Sequence, residues 1–294
     1  MSATTQTAGT TGKAPVRPVW WLLLKQELVE LWAGGRVLNG LVLFSILMSV
    51  TAYLLATNYE LSLAPLDQTV VVALTAGITF GLFFGLVIAA ESISGERERA
   101  TLEPLLLTPT SHRQIILGKF LSALTPWPAA FALSIPYVVT LAHGDPVVWP
   151  ALIWGAVTGT ILSVGFVGFG MLVSIWSDSS RISLFVCLLA YAVALVPSQL
   201  PTEFQISPLG TVIAGLDPVE AAAQVLTRTV RDGQSLDQVW PFILAPVALT
   251  AVVLWLLFWL AAPRLALQVE PLKVPDWARR GAKARVSVDE EARA

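Results

Sequence analysis

Residues 91–119, ESISGERERATLEPLLLTPTSHRQIILGK, decide how the rest of the chain is organised. Long apolar runs precede and follow this segment, whereas eight of its own residues carry charge. The charged residues are Glu91, Glu96, Arg97, Glu98, Arg99, Glu103, Arg113 and Lys119. Because ionised side chains are expensive inside a bilayer, the segment is predicted to be a loop at a membrane surface.

The middle of this loop carries the signals of a short helix. Thr101 can cap such a helix with its side-chain oxygen, and Glu103 then lies in the first turn. Pro104 takes a position whose backbone N–H has no intrahelical partner. The helix would contain residues 105–107 and end before Pro109, because a residue that precedes proline avoids the α region. A short amphipathic helix at the membrane face is suited to receive a partner protein.

A second helix is predicted to begin where the loop ends. Ser111 and Gln114 have the spacing of a capping box, in which each side chain bonds to the backbone N–H of the other residue. This helix would run directly into the next apolar segment.

The order of residues in the loop resembles that of a known family. The pattern is Arg97-Glu98-x-Ala100-Thr101-Leu102-Glu103-x-Leu105-Leu106-x-Thr108-Pro109, followed by Gly118-Lys119. It is similar to the cytoplasmic loop of the type-2 ATP-binding-cassette (ABC) permeases, which are the membrane subunits of ABC exporters. One departure is Ala100, where the family usually has glycine. The alternative interpretation is an ordinary charged loop of a multi-pass protein, which would not require this order of residues.

The resemblance implies a role for the loop, because in this family it docks on a separate ATPase. The residues that match the motif and are candidates for docking are Arg97, Glu98, Thr101, Glu103, Leu105, Leu106 and Pro109. The resemblance also implies a transporter with two permease subunits, identical or different, and two ATPase subunits. ATP and Mg²⁺ would be bound by the ATPase subunits, and no cofactor is expected on this chain.

Composition independently indicates a membrane protein. Of the 294 residues 55% are apolar and only 13% are charged, whereas about 25% of residues are charged in soluble domains. The single cysteine, Cys187, excludes an internal disulfide and a cysteine cluster for metal.

Six apolar runs have the length of membrane spans. They are residues 39–57, 69–90, 120–142, 150–176, 182–200 and 241–262. About 20 residues of helix cross a hydrocarbon core of about 30 Å, and the runs lack the alternation of membrane strands. The predicted fold is therefore an all-α membrane protein with six transmembrane helices and a short cytoplasmic coupling helix.

The segments that flank this domain of residues 39–262 differ in character. Residues 1–16 have no apolar period and are predicted to be a disordered tail. Residues 17–36 have apolar residues at helical spacing and predict an amphipathic helix in the membrane interface, ended by Gly34-Gly35. Residues 263–294 form a basic tail, for which contact with anionic lipid is favoured over nucleic-acid recognition.

The distribution of basic residues predicts the orientation. With the amino terminus in the cytoplasm, sixteen of the 18 Lys and Arg residues lie on the cytoplasmic side. Only Arg228 and Arg231 lie outside. The positive-inside rule therefore predicts a multi-pass protein of the cell membrane with both termini and residues 91–119 in the cytoplasm.

Small residues recur on two of the predicted spans and favour close helix packing. They are Gly77, Gly81, Gly85, Gly155 and Gly159. Contacts within one chain are favoured over contacts between subunits. Pro126 and Pro128 are expected to bend the start of the third span.

The longest predicted extracytoplasmic loop, residues 201–240, contains a strong helix start. Asp217 provides an N-cap, Pro218 the first helical position and Glu220 an acidic residue in the first turn. The amphipathic helix of residues 217–232 would lie on the membrane or cover the outer mouth of a pathway.

The chain lacks the residues that would power transport. It has no Walker A sequence for ATP, no convincing catalytic centre and no metal-ligand motif. No formally charged residue lies within the six apolar runs, whereas ion-driven transporters usually place such residues at membrane depth. The favoured function is the permease subunit of an ABC exporter, with a secondary transporter or channel as the alternative and a non-transporting scaffold third. Substrate-binding residues are not identified.

Overall fold

The computed structural model describes residues 19–57, 65–101, 111–199, 217–231, 233 and 236–261. All regular structure in these ranges is helical, which confirms the predicted class. The helices are α1 (Val19–Ala33), α2 (Arg36–Thr57), α3 (Leu66–Glu91), α4 (Ser94–Glu98), α5 (His112–Leu124), α6 (Pro126–Leu141), α7 (Val148–Trp176), α8 (Ser180–Gln199), α9 (Pro218–Leu226) and α10 (Leu236–Trp255). Helix α9 continues as a π-helical turn over Thr227–Arg231, and α10 continues over Leu256–Ala261.

Among the described residues, five helical stretches are long and apolar enough to cross a membrane. They are Arg36–Thr57, Leu66–Glu98, His112–Leu141, Val148–Trp176 and Phe242–Trp259. The sixth predicted span, residues 182–200, corresponds to α8, whose apolar part Ser180–Val196 is shorter. The described residues of the six apolar runs thus lie mainly in helices, with boundaries that differ from the predicted ones.

The long helices alternate in direction and place one set of helix ends together. The beginning of α2 meets the end of α3, where Nη1 of Arg36 lies 3.9 Å from Oε2 of Glu91. The beginning of α5 meets the end of α10, where the guanidinium of Arg113 lies 5.9 Å from the ring centroid of Trp259. Since α4 lies among these helix ends, this side of the bundle is called the α4 end.

The proline pair divides the third crossing into two helices. Helix α5 ends at Leu124 and α6 begins at Pro126, after Thr125. Proline has no N–H for the helical hydrogen-bond ladder, and the Thr125 hydroxyl instead donates to the carbonyl oxygen of Ser122 at 2.7 Å. Oγ1 of Thr125 also accepts a hydrogen bond from Nε1 of Trp32 at 3.3 Å. This bond links α1 to the break.

The core lies between α3, α7 and the neighbouring α6, and glycines bring these helices together. A Cβ added at Gly159 would lie 2.3 Å from Cζ2 of Trp127, and one at Gly81 would lie 2.8 Å from Cζ3 of the same ring. The nearest atoms to the other three glycines are side-chain atoms of Ser134 at Gly77, Val167 at Gly85 and Leu74 at Gly155. All five positions face neighbouring helices of the same chain.

Helix α9 enters the bundle instead of lying flat on its surface. Its first turn is capped as the sequence indicates, with Oδ1 of Asp217 accepting a bond from the N–H of Val219 at 2.8 Å. At its far end, Nε of Arg231 lies 4.0 Å from Oδ2 of Asp67, at the start of α3. The stretch between them is about 20 Å long at 1.5 Å per residue.

Burial around α9 explains this position. Five residues on one broad face of the helix are at most 7% exposed, namely Val219, Ala221, Ala222, Val225 and Leu226, and the remaining residues of α9 are half-buried. No residue of α9 is exposed, and the helix packs against α3, α7, α8 and α10, so its apolar side chains are removed from water on contact with four neighbours. The placement depends on space between α3, α7 and α10, which local sequence signals do not report.

Candidate functional site

Helix α4 is held against the end of α7 by a buried serine. The chain leaves α3 at Glu91 and begins α4 at Ser94. Oγ of Ser174 accepts hydrogen bonds from the backbone N–H groups of Ile93 at 3.1 Å and Ser94 at 2.9 Å. These two donors lie where the helical ladder is interrupted, and Ser174 satisfies them because buried backbone groups need partners.

Three helices meet at a buried ammonium group. Nζ of Lys119, on α5, donates to Oε1 of Glu27 on α1 at 2.6 Å and to Oε1 of Glu96 on α4 at 2.5 Å. The Lys119 side chain is 3% exposed. A cation in such a position needs charged partners to offset its lost hydration, and the two carboxylates provide them.

Gly118 permits this meeting. A Cβ at Gly118 would lie 3.3 Å from Cβ of Leu23 and 3.4 Å from the carbonyl oxygen of Trp20. Both neighbours belong to α1. The absence of a side chain therefore allows α1 to pack closely along α5, next to the ion cluster.

Arg97 caps the carboxyl-terminal end of α7 with hydrogen bonds. Its guanidinium donates through Nη2 to the carbonyl oxygen of Ile175 at 3.1 Å and through Nη1 to that of Ser177. The last carbonyl groups of a helix lack intrahelical donors and carry partial negative charge, so a guanidinium is favoured there. Nη1 also lies 3.7 Å from the exposed carboxylate of Asp178.

Glu98 bonds to the beginning of α8. Its Oε1 accepts from Oγ of Ser179 at 2.7 Å and from the backbone N–H of Ser180 at 3.0 Å. A carboxylate is favoured at a helix N-terminus, and the hydrogen bonds from Ser179 and Ser180 lower the pKa of Glu98. Glu98 and Arg97 together fix the segment that joins α7 to α8.

The end of α4 is a Schellman turn built on an alanine. The N–H of Thr101 donates to the carbonyl of Glu96 at 3.0 Å, and the N–H of Ala100 donates to that of Arg97 at 3.2 Å. This pair of bonds requires a left-handed residue, which is normally glycine. Ala100 takes that conformation with φ of 56°, so the departure from the family pattern does not prevent the turn.

The predicted docking residues divide into two groups. Arg97, Glu98 and Thr101 are described, and all three bond within the chain. Residues 102–110 lie outside the described part of the chain, and so do the predicted short helix and its Glu103, Leu105, Leu106 and Pro109. Ser111 precedes α5 in an extended conformation, but its side chain makes no capping bond, so the predicted capping box is not formed.

Sequence reasoning did not identify Glu27, Lys119 and the carbonyl groups of residues 175 and 177 as parts of one site. One signal in the sequence pointed to this site: Lys119 lies at the border of an apolar run. A lysine that is buried there needs a nearby carboxylate. We call the cluster formed by Glu96, Arg97, Glu98, Glu27, Lys119 and residues 174–180 the α4 junction. It connects α4 to α1, α5, α7 and α8.

Comparison with known proteins gives the family. A model of the family described as "ABC-2 family transporter protein" matches residues 21–265, which include all described helices except the first two residues of α1. No individual curated protein matches the chain. Members of this family are membrane components and not themselves catalytic; they work with ABC ATPases. The chain is a member of the ABC-2 transporter family, a multi-pass membrane permease of an ABC transporter.

Proposed function

We propose that the chain is the permease subunit of an ABC exporter and that force from a separate ATPase enters through residues 91–119. One observation carries this proposal: Glu96, Arg97 and Glu98 are consecutive, and each bonds to a different helix or helix end. A partner that moves the adjoining residues 102–110 would pull on α4. The α4 junction would pass that movement to α1, α5, α7 and α8.

The proposed arrangement has six spans, with α8 as the shortest, and places the α4 end in the cytoplasm. The distribution of Lys and Arg supports this orientation, because sixteen of 18 would lie on the cytoplasmic side. Helix α1 would lie in the interface, and its packing along α5 supports a position beside the bundle at the α4 end. The tail of residues 263–294 would meet anionic lipid.

The proposed complex contains two permease subunits and two ATPase subunits. ATP and Mg²⁺ would be bound by the ATPases, in keeping with the absence of a Walker A sequence from this chain. Family membership supports an ATPase partner, and the motif in residues 97–109 supports its docking on the loop.

Reconstitution in proteoliposomes tests the proposal against a self-powered transporter. The purified chain is assayed alone and with its cognate ATPase, and movement of fluorescent amphiphiles away from the ATPase side is followed. We expect transport only with both proteins and ATP, and none when the Walker lysine of the ATPase is replaced. Transport by the isolated chain under an imposed ion gradient would overturn the proposal in favour of a secondary transporter.

A second measurement separates coupling from docking. Arg97→Ala removes the bonds from α4 to the end of α7 but leaves residues 102–110 intact. We expect the complex to retain its ATPase but to move less amphiphile per ATP hydrolysed. Arg99→Ala, which changes an exposed neighbouring arginine, is the matched control.

A further inference from the structure

An apolar cavity lies inside the bundle, away from the α4 junction. Its volume is about 210 Å³. Five elements contribute to the wall, for example with Leu86 of α3, Phe166 of α7, Tyr191 of α8, Pro218 of α9 and Thr250 of α10. The cavity therefore lies within one chain and does not require a second subunit to form its wall.

The wall has almost no free hydrogen-bonding group to offer a ligand. The Tyr191 hydroxyl donates to the carbonyl oxygen of Thr79 at 2.7 Å. The Thr250 hydroxyl donates to the carbonyl oxygen of Ile161 at 3.1 Å. Apolar cavities in proteins remain dry and accept apolar molecules, so the ligand that this wall fits is a hydrocarbon.

The position of the cavity indicates where such a ligand comes from. Leu249 lines the cavity and is 44% exposed, so the cavity reaches the outside of the bundle beside α10. Leu249 lies near the middle of the apolar stretch Phe242–Trp259, and Tyr191 lies near the middle of α8. The outer surface at this height faces the hydrocarbon core of the membrane.

We infer that this cavity binds a single hydrocarbon chain that enters laterally from the bilayer between α8 and α10. The chain belongs either to a membrane lipid that remains bound or to an amphiphile that the permease transports; both present the same chemistry to the wall. The inference concerns this chain alone and does not depend on docking or hydrolysis by an ATPase.

Photolabelling of the purified full-length chain in lipid nanodiscs tests the inference. The probes are a phospholipid with a diazirine in the middle of one acyl chain and a single-chain fatty alcohol with the same group. We expect labelled peptides from α7 and α8 that contain cavity residues such as Phe166 and Ala194. Labelling by the phospholipid alone identifies a resident lipid chain. Labelling by the alcohol, or its competition with the phospholipid, identifies a site open to exchanging amphiphiles.

Two positions on α8 provide a matched pair of variants. Ala194 lines the cavity, whereas Ala192 is exposed on the outer face of the same helix. Ala194→Phe should lower cavity labelling by about ten-fold, because a filled cavity leaves no volume for the chain, and Ala192→Phe should leave it unchanged. Ala190→Phe, also in the wall, replaces Ala194→Phe if that variant does not fold.

Two results would overturn the inference. One is labelling of the wild-type chain that is spread evenly over the exposed faces of α2, α8 and α10 without enrichment at cavity residues. The other is equal cavity labelling in the Ala192 and Ala194 variants. Either result would show that the probes report only the surrounding lipid.

Discussion

The ammonium nitrogen of Lys119 lies 2.6 Å from Oε1 of Glu27, although 92 positions separate the two residues in the chain. Glu96 lies on the other side of the ammonium group at 2.5 Å. The cation is almost fully buried, whereas the carboxylates of Glu27 and Glu96 are 19% and 23% exposed. Lys119 therefore holds α1 and α4 together. Without its charge, the carboxylates of Glu27 and Glu96 would repel each other.

Replacement of Lys119 by methionine should destabilise the protein strongly. The change preserves much of the apolar stem but leaves two carboxylates facing each other, and removal of one partner from a buried ion cluster costs about 3 kcal/mol. The measurement is the temperature at which the purified protein loses its monodisperse peak in detergent. Lys25→Met, at an exposed position of α1, is the matched control and should have little effect.

A compensated variant separates charge from packing at the same site. Glu27→Gln and Glu96→Gln combined with Lys119→Met remove all three charges, and most of the lost stability should return. If the triple variant is no more stable than Lys119→Met alone, repulsion between the carboxylates is not the cause.

Arg97→Ala should release the end of α7. The guanidinium bonds to two carbonyl groups there, and hydrogen bonds to charged groups contribute about 2 kcal/mol to the free energy of unfolding. Arg97→Lys should recover only part of the loss, because an ammonium group lacks the fork geometry that spans two acceptors. Hydrogen exchange of the backbone amides of residues 177–183 provides a local measurement. Unchanged exchange in Arg97→Ala would contradict this role.

Ala100→Gly should stabilise the end of α4. Ala100 has φ of 56°, and a side chain in the left-handed region costs about 1 kcal/mol relative to glycine. The thermal stability of the variant should therefore rise. Ala192→Gly, at a helical position of α8, should lower stability by about 1 kcal/mol. A decrease in both variants would contradict the left-handed turn.

Local signals in the sequence predicted the helices well, because those signals act over a few residues. The apolar runs became helices, the proline pair divided the third crossing at Thr125, and the Asp217-Pro218 pair begins α9. The family motif spans residues 97–109, and its first two residues, Arg97 and Glu98, belong to the α4 junction.

The partners of the charged residues could not be predicted in the same way. Glu98 bonds to the first residue of α8, which lies 82 positions later in the chain. Whether Glu98 faces this helix or a partner protein therefore depends on where α8 begins in space. The same holds for Lys119, whose burial depends on α1. The path of α9 also depends on the space between other helices. Such contacts arise from the packing of the whole bundle, and periodicity and capping patterns carry no information about them.

Gly159→Ala should destabilise the core through a clash with Trp127. The added methyl group would lie 2.3 Å from Cζ2 of the indole ring, and overpacking of this kind costs about 2 kcal/mol. Gly77→Ala is the matched control, since its nearest neighbour, Cβ of Ser134, lies 3.3 Å away and needs only a small shift. If the clash is the cause, the double variant Gly159→Ala/Trp127→Leu should lose less stability than the sum of the losses of the two single variants. Thermal unfolding of the three variants measures these losses. Additive losses would locate the strain elsewhere.

Substitutions in residues 102–110 should separate docking of the ATPase from the contacts of the α4 junction. Reversing Glu98 and Glu103 to lysine together should lower ATPase co-purification, but Glu98 also bonds to α8, so Glu103→Lys alone is the cleaner change.

Leu105→Asp should lower ATPase co-purification without affecting membrane insertion, because a carboxylate placed in an apolar contact loses its hydration. Glu103→Lys should act in the same direction by altering the charge complementarity of the contact. The measurement is the amount of ATPase retained on the tagged permease at several salt concentrations. Glu290→Lys makes the same charge change in the carboxyl-terminal tail and should retain the ATPase fully. Undiminished retention by both loop variants would mean that the ATPase binds elsewhere. The proposed role of residues 91–119 in coupling would then be wrong, even if transport by the chain still required an ATPase.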